Sequence, residues 1–345
     1  MLVTRNIDFI TLVTVRGKSM IWLLAFMGFI ATLYFFKIIT INVPWLPVSV
    51  IGTAVAFYVG FKNNQAYDRM WEARKIWGGI INDSRTWGMM VDGYITNLFA
   101  HKEKSKSDIH EIKKRLIYRH IAWIYAHRSQ LLVATEWENR KPADEQKEKS
   151  IDFERTKFGI GLVDDEITRI ELKLFLPEAE HDRLVARVNT ATQIINEQSR
   201  DLTKLRAEGM IDDFRHMEME NILRTFYELQ GKNERIKKFP LPRQYAHMSR
   251  IFVGVFIFLL PFSMIPELSK LGDWALWMSI PLSALIGWVY VMMEIVGENT
   301  ANPFQGLIYD IPMMSLCRTI EIDLREILGE ADLPPSIKAQ NGVLM

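Results

Sequence analysis

Residues 19–61 read SMIWLLAFMGFIATLYFFKIITINVPWLPVSVIGTAVAFYVGF, and Lys37 is the one charged residue among them. A bilayer core about 30 Å thick is crossed by about 20 apolar residues in a helix, so this stretch is long enough to cross twice. A second apolar region spans 251–296, where Glu267, Lys270, Asp273 and Glu294 are the charged residues. Between the two, charge occupies roughly a third of the positions, the pattern of a solvated region. The averages over 345 residues (49% hydrophobic, 24% charged, net charge +1) hide this division.

The balance of charge excludes a strongly basic nucleic-acid binder. With 11% aromatic residues and ten Trp, the chain is not a disordered one. Cys317 is the single cysteine, which excludes an internal disulfide and a cysteine-rich zinc site.

The hydropathy pattern predicts an all-α membrane protein with four spans, at about 19–40, 43–61, 251–266 and 274–296. Pro261 is expected to kink or break the third, which is short. Trp22, Trp45, Trp274 and Trp277 fall near span ends, where indole rings prefer the interface. A buried hairpin in a soluble core is the competing reading. Arg5, Arg16 and Lys18 precede the first span, Lys62, Arg69, Arg74 and Lys75 follow the second, and Lys237, Lys238, Arg243 and Arg250 precede the third. This bias places both termini and the centre on the cytoplasmic side of the cell membrane. The first apolar run is too long and too far from the start for a cleaved signal peptide. The expected segments are a cytoplasmic stretch at 1–18, a hairpin at 19–61, a helical region at 62–250, a second hairpin at 251–297 and a cytoplasmic tail at 298–345.

The centre reads as helix throughout. Helices are expected over 68–90, continuous with the second span, over 108–133, from Pro177 to a stop at Gly209, and over 212–229. Residues 141–149 (KPADEQKEK) read as a solvated linker, and 333–345 as a disordered tail or a plug or brace for an assembly.

No catalytic constellation has credible spacing: there is no Walker loop, dinucleotide fingerprint or nucleophile elbow. His120 and His127 could share a helix face but lack a neighbouring carboxylate, so they read as core or surface histidines. Asp164, Asp165 and Glu166 lack the spacing of a calcium loop and read as a helix start. No cofactor, metal or enzymatic activity is expected.

The second span carries the informative pattern. Thr53, Phe57 and Phe61 recur every four residues, and the same stripe, continued as a helix, meets Asn64 or Gln65, then Asp68, then Glu72. It passes from apolar to polar to acidic, as a pore with a hydrophobic constriction above a wet vestibule would. Periodicity alone equally allows a lipid-facing stripe that becomes solvated.

GFKNNQAYDRMWEARKIWG (60–78) resembles the signature of bacterial bestrophin-like proteins, roughly GFRNNxxYxRxxEARxxWG. ERIKKFPLP (234–242), ANPFQGLIYDIP (301–312) and the less distinctive LRAEGMIDDF (205–214) resemble further family segments in matching order. The resemblance implies a homopentameric ion channel in a lipid bilayer, with one pore on the five-fold axis. It implies a neck at Thr53, Phe57 and Phe61 and a cytoplasmic aperture at Phe214. Thr53 departs from the usual wholly apolar neck. Animal members are calcium-activated through an acidic run after NPFG; here QGLIYD offers Asp310 alone, so no calcium activation is expected. Animal members conduct chloride, and bacterial members more like this chain are associated with monovalent cations. Rings of Asp68, with Glu72, would favour cations, provided that Lys62 points away from the lumen. The competing readings are an anion channel of the same build, a membrane-anchored sensor or scaffold, a secondary transporter and a membrane enzyme.

Overall fold

A computed structural model describes residues 1–3, 9–138, 172–340 and 342–345. The linker at 141–149 and the run Asp164, Asp165 and Glu166 lie outside the described residues. Among the described residues all regular structure is helical. The helices are α1 (Phe9–Phe35), α2 (Trp45–Tyr94), α3 (Lys106–Leu132), α4 (Glu178–Val185), α5 (Thr190–Ala207), α6 (Asp213–Lys238), α7 (Arg243–Ser269), α8 (Ala275–Thr300) and α9 (Met313–Ile327), with a 3-10 turn at Leu172–Leu174. Among the described residues the β pairing is isolated, from Val343 to Leu2 and to Gln340. The chain divides into two compact units, Thr4–Met70 with Pro240–Asn302, and Met1–Val3 with Trp71–Phe239 and Pro303–Met345.

The first unit holds the apolar helices. α2, α7 and α8 are long and apolar enough to cross a membrane by length and composition, and α1 has a shorter apolar stretch, Ser19–Phe35. Its core is Leu23 and Met27 of α1, Val48, Val55 and Val59 of α2, Val253, Phe256, Ile257 and Leu260 of α7, and Ala284 of α8. Between apolar helices in lipid, close packing replaces the hydrophobic effect as the source of affinity, and small residues permit it. Gly52 does so: a Cβ there would come within 2.7 Å of the Phe256 ring. The same contact brings the Gly52 carbonyl within reach of the Tyr290 hydroxyl, which donates to it at 3.0 Å. Many large apolar side chains of this unit, among them Ile21, Trp22, Phe29, Trp274 and Trp277, remain exposed. A water-facing surface rarely tolerates so many.

The expected break in the third span does not occur. α7 runs through both Pro261 and Pro266 without interruption. A proline removes the donor for the carbonyl four residues earlier. For Pro266 that carbonyl belongs to Phe262, and the Val43 N–H takes it up at 3.2 Å. The loss inside the helix is thus made good from the approach to α2, as an apolar setting requires.

The second unit is built around α3, whose residues 119–128 are buried on every side. Its start is set by a capping box: the Asp108 N–H donates to Ser105 Oγ, and the Ser105 N–H to the Asp108 carboxylate, both at 3.1 Å. Trp77 and Trp87 of α2, Trp123 of α3 and Phe226 of α6 form an aromatic core. His120 and His127 belong to it. His120 lies 2.8 Å from Ser84 Oγ and packs on Phe226, and His127 lies 3.0 Å from Asn233 and stacks on Trp123. α3 is tied to α4 and α5 by Arg119, which reaches Glu180 at 2.6 Å and Asp201 at 2.8 Å.

Two boundaries differ from expectation. The helix read from Pro177 to Gly209 is two helices, because Asn189 caps a new start by accepting the Thr192 N–H at 3.0 Å. The helix read over 212–229 continues to Lys238. The stop at Gly209 is real: its φ is +73°, and a Cβ there would collide with the Phe99 carbonyl. The chain's last residues form a brace within this unit, where Val343 is buried and Met345 O accepts the Ser315 N–H at 2.7 Å.

Burial lowers the pKa of His120 to about 3 and of His127 to about 4, although the Glu234 charge opposes the second. Between pH 6.5 and those values the unfolded chain binds protons that the folded chain refuses. Stability is therefore complete above pH 6.5 and falls on acidification by at most about 1.4 kcal/mol per histidine per pH unit. Asp310, raised by burial to about 7, contributes in the opposite sense over part of the window. Thermal unfolding of purified protein at pH 7 and pH 5 should show a net loss at the lower pH. The H120Q/H127Q variant, less stable at pH 7, should lose distinctly less between the two.

Candidate functional site

α2 is one unbroken helix of 50 residues, and its two faces differ along its whole length. Val48, Gly52, Val55, Val59, Lys62 and Ala66 are buried, whereas Thr53, Phe57, Phe61, Asn64 and Asp68 are exposed. Phe57 and Phe61 are 65% and 58% exposed, far beyond the usual value for a large apolar side chain in a single chain's fold. The polar stripe that follows on Asn64 and Asp68 is exposed in register with them.

The rotation of α2 is fixed by a charge cluster. Lys62 is 2% exposed and pairs with Glu294 of α8, and Ser249 of α7 donates its hydroxyl to the same carboxylate. Asn63 adds a bond to Met293 O at 3.0 Å, and a Cβ on Gly297 would occupy the place of the Asn63 side chain. At 100° per residue, Thr53, Phe57, Phe61, Asn64 and Asp68 fall roughly 100–180° away from Lys62. The sequence pattern did not include this cluster. Its signal was Glu294, an acid isolated in an apolar run, which must find a cation close by.

Glu72 lies at the edge of the stripe, within about 20° of Phe61. Each step of four residues drifts by roughly 40°, which brings Glu72 to about 80° from Lys62. Its carboxylate accepts from Arg235 of α6 at 2.6 Å, and the pair largely cancels its charge. Phe214 belongs to the other compact unit. It sits in the first turn of α6, held there by Asp212, which accepts the N–H groups of Phe214 and Arg215 at 2.9 and 3.0 Å. Its ring is 80% exposed.

Among the described residues no group of three or more His, Cys, Asp or Glu could hold a metal ion. In the run 305–310 the one acid, Asp310, is buried and closes its own loop, accepting the N–H groups of Gln305 at 2.7 Å and Leu307 at 3.0 Å. The other oxygen of Asp310 is buried without a partner. One such carboxylate does not fit the six to eight oxygens that calcium takes.

The family model for bacterial and fungal bestrophin proteins matches residues 11–326. The chain belongs to the bacterial and fungal bestrophin family. A crystal structure of a bacterial bestrophin homologue from Klebsiella pneumoniae shares this fold with a TM-score of 0.69, at 22% identity over 91% of this chain and 98% of that one. Among curated relatives, the voltage-dependent anion channel-forming protein YneE of Escherichia coli K12 is 23% identical, over 84% of this chain and 79% of its own length. The voltage-dependent anion channel-forming protein RSc3414 of Ralstonia nicotianae is 25% identical, over 89% and 84%. In this bestrophin the signature segment 60–78 holds the Lys62 and Asn63 contacts, so the motif has a packing reason as well as an exposed face.

Removing Lys62 alone should leave Glu294 buried without a cation. Breaking a buried pair from one side costs about 3–5 kcal/mol. K62M should therefore lower the melting temperature of the detergent-solubilised protein strongly, and K62M/E294L should recover most of the loss. Equal melting temperatures for K62M and the parent would refute the pin.

Proposed function

We propose that this bestrophin is the subunit of a homopentameric, non-enzymatic ion channel that spans a cell membrane four times per chain, with both termini and the central region cytoplasmic. The segment boundaries are those of the sequence reading, 1–18, 19–61, 62–250, 251–297 and 298–345. The observation that carries the proposal is the exposed α2 face, with Thr53, Phe57 and Phe61 leading into Asn64 and Asp68 in one register. Five copies of that face around an axis make a short apolar neck followed by a polar vestibule. The family membership and the named channel-forming function of the curated relatives support it.

The mechanism needs no bond chemistry. An apolar constriction conducts when it is wide enough to stay wet and closes when it dewets. Phe57 and Phe61 serve as that gate, Thr53 keeps its outer ring wetter, and ions leave past an aperture at Phe214. Such a neck resists ions of either sign, so selectivity comes from the charges beyond it. Asp68 is exposed and Lys62 is withdrawn into its pair with Glu294, which favours small monovalent cations. Glu72 adds little while paired with Arg235. The second reading is an anion channel of the same build, favoured by the printed names of the curated relatives. Calcium is not the activator, since Asp310 is spent on its own loop.

The reversal potential of purified protein in a planar bilayer under a NaCl gradient tests both readings. A shift toward the sodium equilibrium potential that D68N diminishes is expected. A shift toward chloride, unmoved by D68N, would transfer the assignment to anions. Absence of current from protein shown to be folded and oligomeric would favour a scaffold. F57A/F61A should raise conductance or leak; parental conductance would place the neck elsewhere.

A further inference from the structure

The second unit holds a polar recess that the pore reading does not use. It has a volume of about 420 Å³ and lies among α3, α4 and α5. Its lining is charged apart from Ile112 and Leu205, and no aromatic ring of the described residues takes part in it. Each acid of the lining is paired, and two of the acids are shared. Arg115 and Arg119 both hold Asp201 at 2.8 Å, and Arg119 also holds Glu180. Arg183 and Arg200 both hold Glu197, at 2.7 and 2.8 Å. Lys104 holds Glu208 at 2.9 Å. Lys204 lines the recess as well, with no acid partner among the described residues. Counting Arg200, six cations face four acids, a surplus of two positive charges. Among the described residues hydrogen-bond donors are left over too. Arg115 uses Nε and Nη2 on Asp201 and keeps Nη1, and Arg183 uses Nη1 on Glu197 and keeps Nε and Nη2.

We propose that this recess binds a phosphorylated polyol, a phosphomonoester whose body carries several hydroxyl groups. A phosphomonoester bears about −1.5 to −2 charge at pH 7, which matches the surplus. The open N–H groups of Arg115 and Arg183 and the Lys204 ammonium take its oxygens, since a guanidinium fork suits phosphate geometry. The acids decide the rest of the molecule. Glu180, Glu197 and Asp201 are acceptors only, so the body beyond the phosphate must bring O–H donors to them. Inorganic phosphate would leave that part of the recess unused, because the volume falls within the roughly 300–1,000 Å³ of small-molecule sites. A nucleotide fits less well, because its base finds no ring to stack on. The site does not depend on conduction, and a failed channel assay leaves it intact.

Isothermal titration of the full chain in mild detergent with glucose 6-phosphate, at low and fixed ionic strength, tests this. Saturable binding of one molecule per chain is expected. Inorganic phosphate, unphosphorylated glucose and adenosine monophosphate should each bind more weakly by roughly tenfold or more, a comparison made on the parent protein without any substitution. K204M should weaken binding of glucose 6-phosphate by roughly tenfold while keeping the parental melting temperature, because it breaks no ion pair. R183M should weaken it by a similar factor, and Arg200 still serves Glu197 in that variant. No saturable binding of glucose 6-phosphate would overturn the proposal. So would equal affinity for inorganic phosphate or adenosine monophosphate, or parental affinity in both K204M and R183M, because the anion would then be held by general surface charge or at another place.

Discussion

The buried pair of Lys62 and Glu294 decides how α2 presents itself. A charge withdrawn from water is tolerated only with a partner and further hydrogen bonds, and Ser249 supplies the latter. Three helices, α2, α7 and α8, meet at this one carboxylate. Once Lys62 is held inward, helical geometry sends Thr53, Phe57, Phe61, Asn64 and Asp68 outward. The pair also withdraws Lys62 from the proposed lumen, where it would oppose a ring of Asp68. In the proposed channel a contact made for packing would also serve selectivity.

The same economy recurs elsewhere in the apolar unit. Pro266 leaves the Phe262 carbonyl without its helical donor, and Val43 supplies one. Gly52 gives up its side chain so that Phe256 and Tyr290 can close on α2. Each case satisfies a polar group, or brings surfaces together, where no water is at hand to do so.

The charged unit follows the ordinary rules of a water-soluble core. Its stability rests on aromatic burial around α3, and its two histidines are kept neutral by that burial. Capping residues set its geometry: Asp212 fixes the first turn of α6 and with it the position of Phe214, and Asn189 divides what its pattern shows as a single helix. The acid-dependent loss of stability and the placement of the proposed aperture therefore have separate origins within one unit.

Much of this was legible in the residues alone. Apolar length without charge marked the membrane-type helices, because a bilayer sets a length that sequence can be measured against. The four-residue recurrence of Thr53, Phe57 and Phe61 marked one face of a helix, because helical period is local. The signature at 60–78 marked the family. What the sequence left undecided depended on partners distant in the chain. The direction of Lys62 rests on Glu294, the continuity of α7 through Pro266 draws on Val43, and the neutral histidines depend on Phe226 and Asn233. Glu72 follows the stripe by counting, but its pairing with Arg235 is visible only in three dimensions. Local periodicity is written in neighbouring residues; pairing and burial arise only where separate helices come together.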